Sequence, residues 1–532
     1  MTPSNWATQV AAALTESSPR QVGAVPLVYP LLEALQVRET INALRWSRAD
    51  IDLGRVVEVL LLNRLMSPQP LYHVGEWAAQ TVIVPMLGVS AQQLYDQRLG
   101  RALDELHAFL GEAWQRCAVR AIQQEGIDLS VLHWDTTSVY LEGAYDESDL
   151  AEYGHSSDKH ADNLQVKLGV NVTSPERVPC VYQVLPGATA DVSTAPPHLR
   201  ALVAFLERPE WANLAVRPLV VGDSKMITPA SVAVAHRHHL YYLGPWEASQ
   251  EVKAVMRSVT EAEWAAGELS YRPMRHFRAD RPFIPYRGVW RPFSVTYAGE
   301  TYHDRVLVVW SAGKQRLDEN KRKTYLKALL NRLSEIRGHL NRGRYIKREY
   351  ALHQVALAQR GNPAKGLVAV ELTGSDRNLA LSFHIDRTAL AQAQALDGKY
   401  VLGTNAEHLS ASQVLTAFKA QDAVEKSYTC LKGPLRVRPL YLHSDQRVEG
   451  IMFISVLALL VRALLEVRCR RAGLRSSADR VLHAFASLYA TDQTFVDGSR
   501  YCQLGHLTDF QQRVLETLGF PSPTRYLQRL SD

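Results

Sequence analysis

Three β-rich runs follow one another without an intervening helix: "DLSVLHWDTTSVYLEG", "NLQVKLGVNV" and "VPCVYQVLPG". A helical stretch, "TAPPHLRALVAFLER", comes next, then the short apolar strand "AVRPLVVGDS", the helix "PASVAVAHRHH" and the strand "LYYLGPW". Strands joined by short loops pair antiparallel, whereas strands separated by helices return parallel. The order therefore predicts an α/β fold with a mixed sheet, three antiparallel strands first and parallel strands after, flanked by helices.

The rest of the chain must be arranged around that block. Its 532 residues allow two to four domains, and a hydrophobic fraction of 46% suffices for sizeable cores. Residues 1–126 read as a helical domain: "DLGRVVEVLLLNRLM" and "ALDELHAFLGEAWQRCAVRAIQQEG" carry apolar residues near a 3.6 period. In "LGVSAQQLYDQRLGRALDEL", Ser90 follows a Gly turn as an N-cap for the next helix, so a helix-turn-helix or an ordinary bundle both fit. The five cysteines are scattered with no CxxC pair, which suits a reducing compartment and excludes zinc fingers and a disulfide framework. "MTPSNWATQV" lacks the pattern of a secretory signal. "GIMFISVLALLVRALLEV" is interrupted by Arg462 and Glu466, so it is expected to be a buried helix and not a membrane span.

Residues 247–403 break the earlier pattern. "FSVTYAGETYHDRVLVVWSAG", "KGLVAVEL" and "LALSFHID" are strand-like, and between them lies a basic helical stretch from Lys314 to Arg348. That stretch holds twelve Lys and Arg, Lys321, Arg322 and Lys323 among them, against Asp318, Glu319 and Glu335. Its excess of nine positive charges exceeds the net +6 of the whole chain. Such concentration has two readings: a solvated helix face, or a surface for phosphates.

Two acids stand out in the mixed sheet. Asp135 lies in the middle of the first strand and Asp223 ends the apolar run "RPLVVGD". Carboxylates from separate strands can converge, and carboxylate oxygens are hard ligands suited to Mg²⁺. A third acid must come from elsewhere. In "LSASQVLTAFKAQDAVEKSYTCLKGPLRVRPLY", Ser410 and Gln413 form a capping box and Gly433-Pro434 a stop, which predicts about six turns of helix between them. Phe418, Gln421, Glu425 and Lys432 fall within an arc of roughly 60° on that helix, beside an apolar stripe of Val414, Ala417, Val424, Tyr428 and Leu431. Packed by the stripe, the helix would hold Glu425 and Lys432 at the margin of the core.

This arrangement resembles the RNase H-like DDE transposases of bacterial insertion sequences. The helix matches the spacing of the YREK signature: Tyr, two residues, Arg, three, Glu, six, Lys. Glu425 and Lys432 fill the last two places, while Phe418 and Gln421 stand where Tyr and Arg are usual. "GHSSDKHADNLQVKLGV", "GATADVST", "LGRALDEL" and "LRVRPLYLHSDQRVEGIMFI" also look like members of this group, so the resemblance runs from about Pro26 to about Leu465. It implies five spans: an N-terminal helical domain binding DNA ends (1–126), a catalytic core in two parts (127–246 and 404–448), a largely β insertion domain (247–403), and a helical C-terminal region (449–532). It implies that Asp135, Asp223 and Glu425 are the catalytic, metal-binding acids, holding two Mg²⁺ with Mn²⁺ as a substitute. Lys432, Gln421, Phe418, Lys321, Arg322 and Lys323 would contact DNA. Phe418 keeps the ring but not the hydroxyl of the signature Tyr, and Gln421 keeps hydrogen bonding but not the charge. The expected activity is cleavage of transposon ends and strand transfer of the 3′-OH into target DNA. Expected partners are double-stranded DNA, with terminal inverted repeats and target, and a second copy of the chain; no membrane and no nucleotide cofactor is expected. The expected location is the bacterial cytoplasm, at the nucleoid. Two alternatives are a nuclease that cuts without joining and a DNA-binding repressor with a weakened site.

Other clusters carry less. The spacing of His236, His238 and His239 is not a recurrent metal site. His155 and His160 flank Asp158 in a polar loop suited to a DNA contact. No GxxxxGK, GxSxG or HExxH occurs. Trp290 and Trp310 are candidates for base stacking.

Overall fold

β-Branched and aromatic residues in "VLHWDTTSVY" alternate between two faces of a strand, and their neighbours in sequence do the same. In a computed structural model, which describes residues 13–46, 49–154, 162–211, 217–271 and 284–527, these runs are β2 (Val131–Tyr140), β3 (Gln165–Thr173) and β4 (Pro179–Pro186). They pair antiparallel in sequence order, with Asp135 opposite Val170. β5 (Leu219–Val221) lies on the other side of β2 and runs parallel to it. The expected α/β mixed sheet, three antiparallel strands followed by a parallel one, is therefore present. Helices Asp191–Leu206 and Pro229–Arg237 occupy the predicted crossover positions. His155, Asp158 and His160 lie outside the described residues.

The chain divides into two compact units, residues 1–241 with 419–532, and residues 242–418. The helical N-terminal region belongs to the same unit as β2–β5, because its helices and those of the C-terminal region share one core. The Asp445–Arg471 helix packs on Leu53–Met66, Asp96–His107 and Leu110–Glu125. It is long and apolar enough to cross a membrane, but 94% of its most apolar window is buried inside this unit. Its all-round hydrophobicity is thus that of a central core helix. The C-terminal region is not wholly helical. Leu14–Gln21 (β1), Tyr489–Phe495 (β13) and Arg500–Leu504 (β14) form a three-stranded antiparallel sheet. The reason is the hairpin signal "VDGS": Gly498 takes φ +79° and Asp497 Oδ1 accepts the Ser499 amide at 2.9 Å.

The second unit carries an antiparallel sheet in the order β6 (Tyr241–Pro245), β12 (Lys399–Thr404), β9 (Glu300–Trp310), β8 (Ile284–Tyr297) and β7 (Glu268–Tyr271). A separate hairpin, β10 (Val368–Ser375) and β11 (Asn378–Ile385), supports the basic helix Ala312–His339. Leu326, Leu329, Leu333 and Ile336 form a buried stripe on that helix and pack with Leu372, Leu379 and Leu381 of the hairpin. The stripe turns Lys321, Lys323 and Lys327 outward to the surface. Arg322 differs from the phosphate contact expected of it. Its two terminal nitrogens bind both carboxylate oxygens of Asp397 at 2.5 and 2.6 Å, largely out of solvent, so its charge serves the fold of this unit. Trp290 and Trp310 are likewise occupied: Arg305 stacks over the Trp290 ring at 3.9 Å and Arg287 over Trp310 at 5.5 Å.

Candidate active site

β2 brings His133 and Asp135 to one face, since residues two apart share a side of a strand. That face is covered by the helix Asp422–Lys432, here α1, which carries Glu425. The expected single helix of six turns is in fact two, Ala411–Lys419 and α1. The predicted capping box closes the first: Ser410 N donates to Gln413 Oε1 at 2.8 Å, and Gln413 N to Ser410 Oγ at 3.3 Å. The predicted stop holds too, with Gly433 capping α1. The break falls at Ala420–Gln421, just after the change of unit between Phe418 and Lys419. Gln421 becomes the N-cap of α1, and Phe418 stays in the second unit against the Tyr400 ring at 6.1 Å. Phe418, Lys321, Arg322 and Lys323 are therefore in a different unit from the three acids.

α1 is anchored by a residue that periodicity treats as apolar. The buried Tyr428 hydroxyl accepts the Val170 amide at 3.1 Å and donates to the carbonyl of Asp135 itself. It stands one turn after Glu425, so this one side chain sets the helix bearing the third acid against the strand residue bearing the first. Ala423, Val424, Ser427 and Leu431 bury the same face. Glu425 is exposed, and Lys432 is half-buried at the last turn.

The electrostatics report proximity. The Asp135 carboxyl is pushed up to about 7, chiefly by burial. The Thr136 amide, donating to Oδ1 at 2.8 Å, opposes this, while Asp223, Glu425 and Asp191 reinforce it. Asp223 is held in the turn after β5, where Oδ1 accepts the amides of Lys225 at 2.9 Å and Met226 at 3.1 Å. Met226 folds back over Gly222 so tightly that a Cβ there would collide with it. Burial still raises the Asp223 carboxyl, and the charge of Asp191 adds to the effect.

Asp191 is the acid that the sequence reading did not single out. It lies in "GATADVST", at the start of the Asp191–Leu206 helix, and pairs with the buried Lys167 ammonium at 2.6 Å. Lys167 also donates to the Thr189 carbonyl at 2.5 Å. A lysine buried on an inner strand needs such a partner, and "NLQVKLGVNV" is the only signal that pointed to it. His133, fully buried on the Asp135 face, has both ring nitrogens without a hydrogen-bond partner, and burial lowers its pKa to about 4.

Among the described residues, no three His, Cys, Asp or Glu side chains converge tightly enough to enclose a metal ion. Asp135, Asp223 and Glu425 are thus within electrostatic reach, with Asp135 sensing both others, but not closed into a coordination shell. The donor chemistry nonetheless fits a divalent cation. The carboxylates of Asp223, Glu425 and Asp191 act on that of Asp135, and burial keeps Asp135 reluctant to ionise until a positive charge arrives.

A family profile described as a domain of unknown function, DUF4277, matches residues 18–112. None of the curated proteins matches the chain. Among solved structures, the chain is similar to a piggyBac transposase synaptic complex with hairpin DNA, at TM-score 0.41 and 8% identity, covering 89% of this chain and 82% of that one. It is also similar to a Mos1 transposase paired-end complex with left transposon end, at TM-score 0.16 and 12% identity, covering 37% of this chain and 60% of that one. A pre-cleavage Mos1 transpososome gives TM-score 0.16 and 14% identity, covering 37% and 61%.

Proposed function

We propose that this chain is a DNA transposase of the RNase H-like group, cutting the ends of its element and joining the freed 3′-hydroxyl to target DNA. What supports the reading is the bond from the Tyr428 hydroxyl to the Asp135 carbonyl, which holds the Glu425 helix beside the first acid. The spacing of Glu425 and Lys432 agrees with the signature the sequence resembles. Asp135, Asp223 and Glu425 would hold Mg²⁺ or Mn²⁺. Such ions supply charge stabilisation to the attacking and leaving oxygens of a phosphodiester. Asp135 must lose its proton to bind, and its buried setting makes it reluctant to do so unaided. Tyr428 orients β2 and α1, and Lys432 would hold a phosphate oxygen. The neutral His133 excludes a competing positive charge from the inner wall of the site. Asp191, paired with Lys167, adds its negative charge to the field at Asp135 and Asp223.

The test is incubation of end-bearing DNA with the protein and Mg²⁺, resolving cleaved and joined products. Cleavage without joining would reduce the function to that of a nuclease. End binding without cleavage would reduce it to that of a repressor.

DNA affinity should fall steeply with salt, because phosphate neutralisation releases counterions. A Lys321→Ala/Lys323→Ala double variant should lower the slope of log K against log salt by about two, one per lost phosphate contact. Anisotropy titrations across a range of KCl read this directly. An unchanged slope would assign the exposed face of the basic helix to solvent alone.

A further inference from the structure

Directly after α1 the chain runs through "GPLRVRPLYLH", and this segment lines a cavity of about 560 Å³. Arg64, Tyr72, Arg436, Arg438, Tyr441 and His443 are on its wall. All belong to the first unit. Three observations single it out. The first is Arg64, a guanidinium 8% exposed in the helix Leu53–Met66. It donates to the carbonyls of Leu435 and Arg436 at 3.2 and 3.1 Å, yet no acid pairs with it among the described residues. Burial alone lowers its pKa to about 10. A buried cation left without a counter-charge is costly, and an anion arriving in the cavity would relieve that cost.

The second is the aromatic content of the mouth. Tyr72 is 62% exposed and Tyr441 49% exposed, so both rings have an open face at the mouth. Arg438 lies over the Tyr140 ring at 5.6 Å beside them. The third is charge. Among the described residues Asp96 is the one acid on the wall, Glu142 bonds the Tyr441 hydroxyl at the rim, and the remaining lining cation, Arg447, is already paired with Asp104 at 2.9 Å. Arg436 is exposed and makes no ion pair among the described residues. Cations inside with aromatic rings at the rim match a phosphate with a base stacked outside it.

The location is equally specific. Leu440 bridges Leu141 in parallel, and the Glu142 amide donates to the Leu440 carbonyl at 2.8 Å. The cavity therefore sits at the end of β2, six residues beyond Asp135, or ~20 Å at the rise of a strand. Stacked nucleotides rise ~3.4 Å each, so about six separate the two points.

We propose that this cavity holds an unpaired nucleotide of the DNA strand engaged at the acid cluster, its phosphate toward Arg64 and Arg436 and its base on Tyr441 or Tyr72. The proposal rests on the reading of the chain as a DNA-processing enzyme, but its test does not need cleavage.

The test uses the full chain in EDTA, with a labelled blunt duplex and the same duplex carrying a single-stranded tail of about six nucleotides. The tailed probe should bind roughly tenfold more tightly, and Tyr441→Ala should remove most of that gain while leaving blunt-duplex affinity unchanged. Arg436→Gln should lower the salt slope for the tailed probe by about one. Both residues are on the surface, so folding is not at stake. Equal affinity for the two probes would overturn the proposal, as would retention of the full gain by both variants. So would displacement of the tail by thymidine monophosphate as effective as displacement by a short oligonucleotide, since the cavity would then be a free-nucleotide site. Tail-dependent binding by a protein that never cuts DNA would sink the transposase reading and leave the cavity assignment standing.

Discussion

Asp135→Asn is expected to slow DNA cleavage by about 10³-fold or more while leaving end binding within a few-fold of the parent. Removing one carboxylate from a cation site forfeits several kcal/mol of charge stabilisation in the transition state. DNA binding draws on the basic surfaces instead, which the substitution does not touch. The same variant should be more stable than the parent when divalent cations are chelated. The folded pKa of Asp135, about 7, lies above its ordinary 3.8. Its contribution to stability is therefore fully present below about pH 4 and is lost as pH rises through about 7. At pH 8 the ionised, buried carboxylate costs the folded state about 4 kcal/mol, which Asn avoids. Glu58 is also pushed up to about 7 by burial and tilts the whole protein the same way, so the informative quantity is the difference between parent and variant. Thermal melts from pH 5 to 8 in EDTA should diverge with rising pH, and added Mg²⁺ should raise the melting temperature of the parent alone. Parallel curves, or normal cleavage by the variant, would remove Asp135 from the site.

Tyr428→Phe should be the most damaging loss of a single oxygen. The hydroxyl joins α1 to both β2 and β3, and without it the Val170 amide and the Asp135 carbonyl lose their bonds to the helix. Leaving buried partners unsatisfied costs about 1–3 kcal/mol. A helix shift of ~1 Å at Glu425 would slow cleavage by about 10²-fold. A residue that only filled space would lower stability and leave the metal requirement alone. A positioning residue should also raise the Mg²⁺ concentration needed for half-maximal cleavage, since Glu425 no longer meets the other acids in register. Chemical denaturation and a Mg²⁺ titration of the cleavage rate measure the two effects separately. Loss of stability with an unchanged Mg²⁺ midpoint would make Tyr428 structural only.

Much of the mixed sheet and its helices was legible in the chain. The three antiparallel strands, the crossover helices, and both ends of the Ser410–Lys432 region follow from alternation, capping and stop signals that act over a few residues. The interruption of that region was not legible, because Ala420 and Gln421 are good helix formers and nothing local forbids a continuous helix. Only the change of unit between Phe418 and Lys419 marks it. The strands of the C-terminal region were legible in hindsight from "VDGS", but their partner β1 lies almost 500 residues away, and pairing at that distance leaves no local trace. Arg322 shows the same limit. Within a run of cations it reads as one more surface charge, and only its meeting with Asp397 turns it inward.

By itself the sequence determined the candidates for the chemistry: the acids at 135, 223 and 425, the cations from Lys314 to Arg348, and the strands and helices that bear them. Tertiary structure alone decided which of these meet. It joined Asp135 to Tyr428, supplied Asp191 and its lysine, and left Arg64 buried without a counter-charge among the described residues. Backbone propensity and hydrophobic period are properties of neighbours along the chain, whereas burial, charge coupling and an unpaired guanidinium depend on neighbours in space.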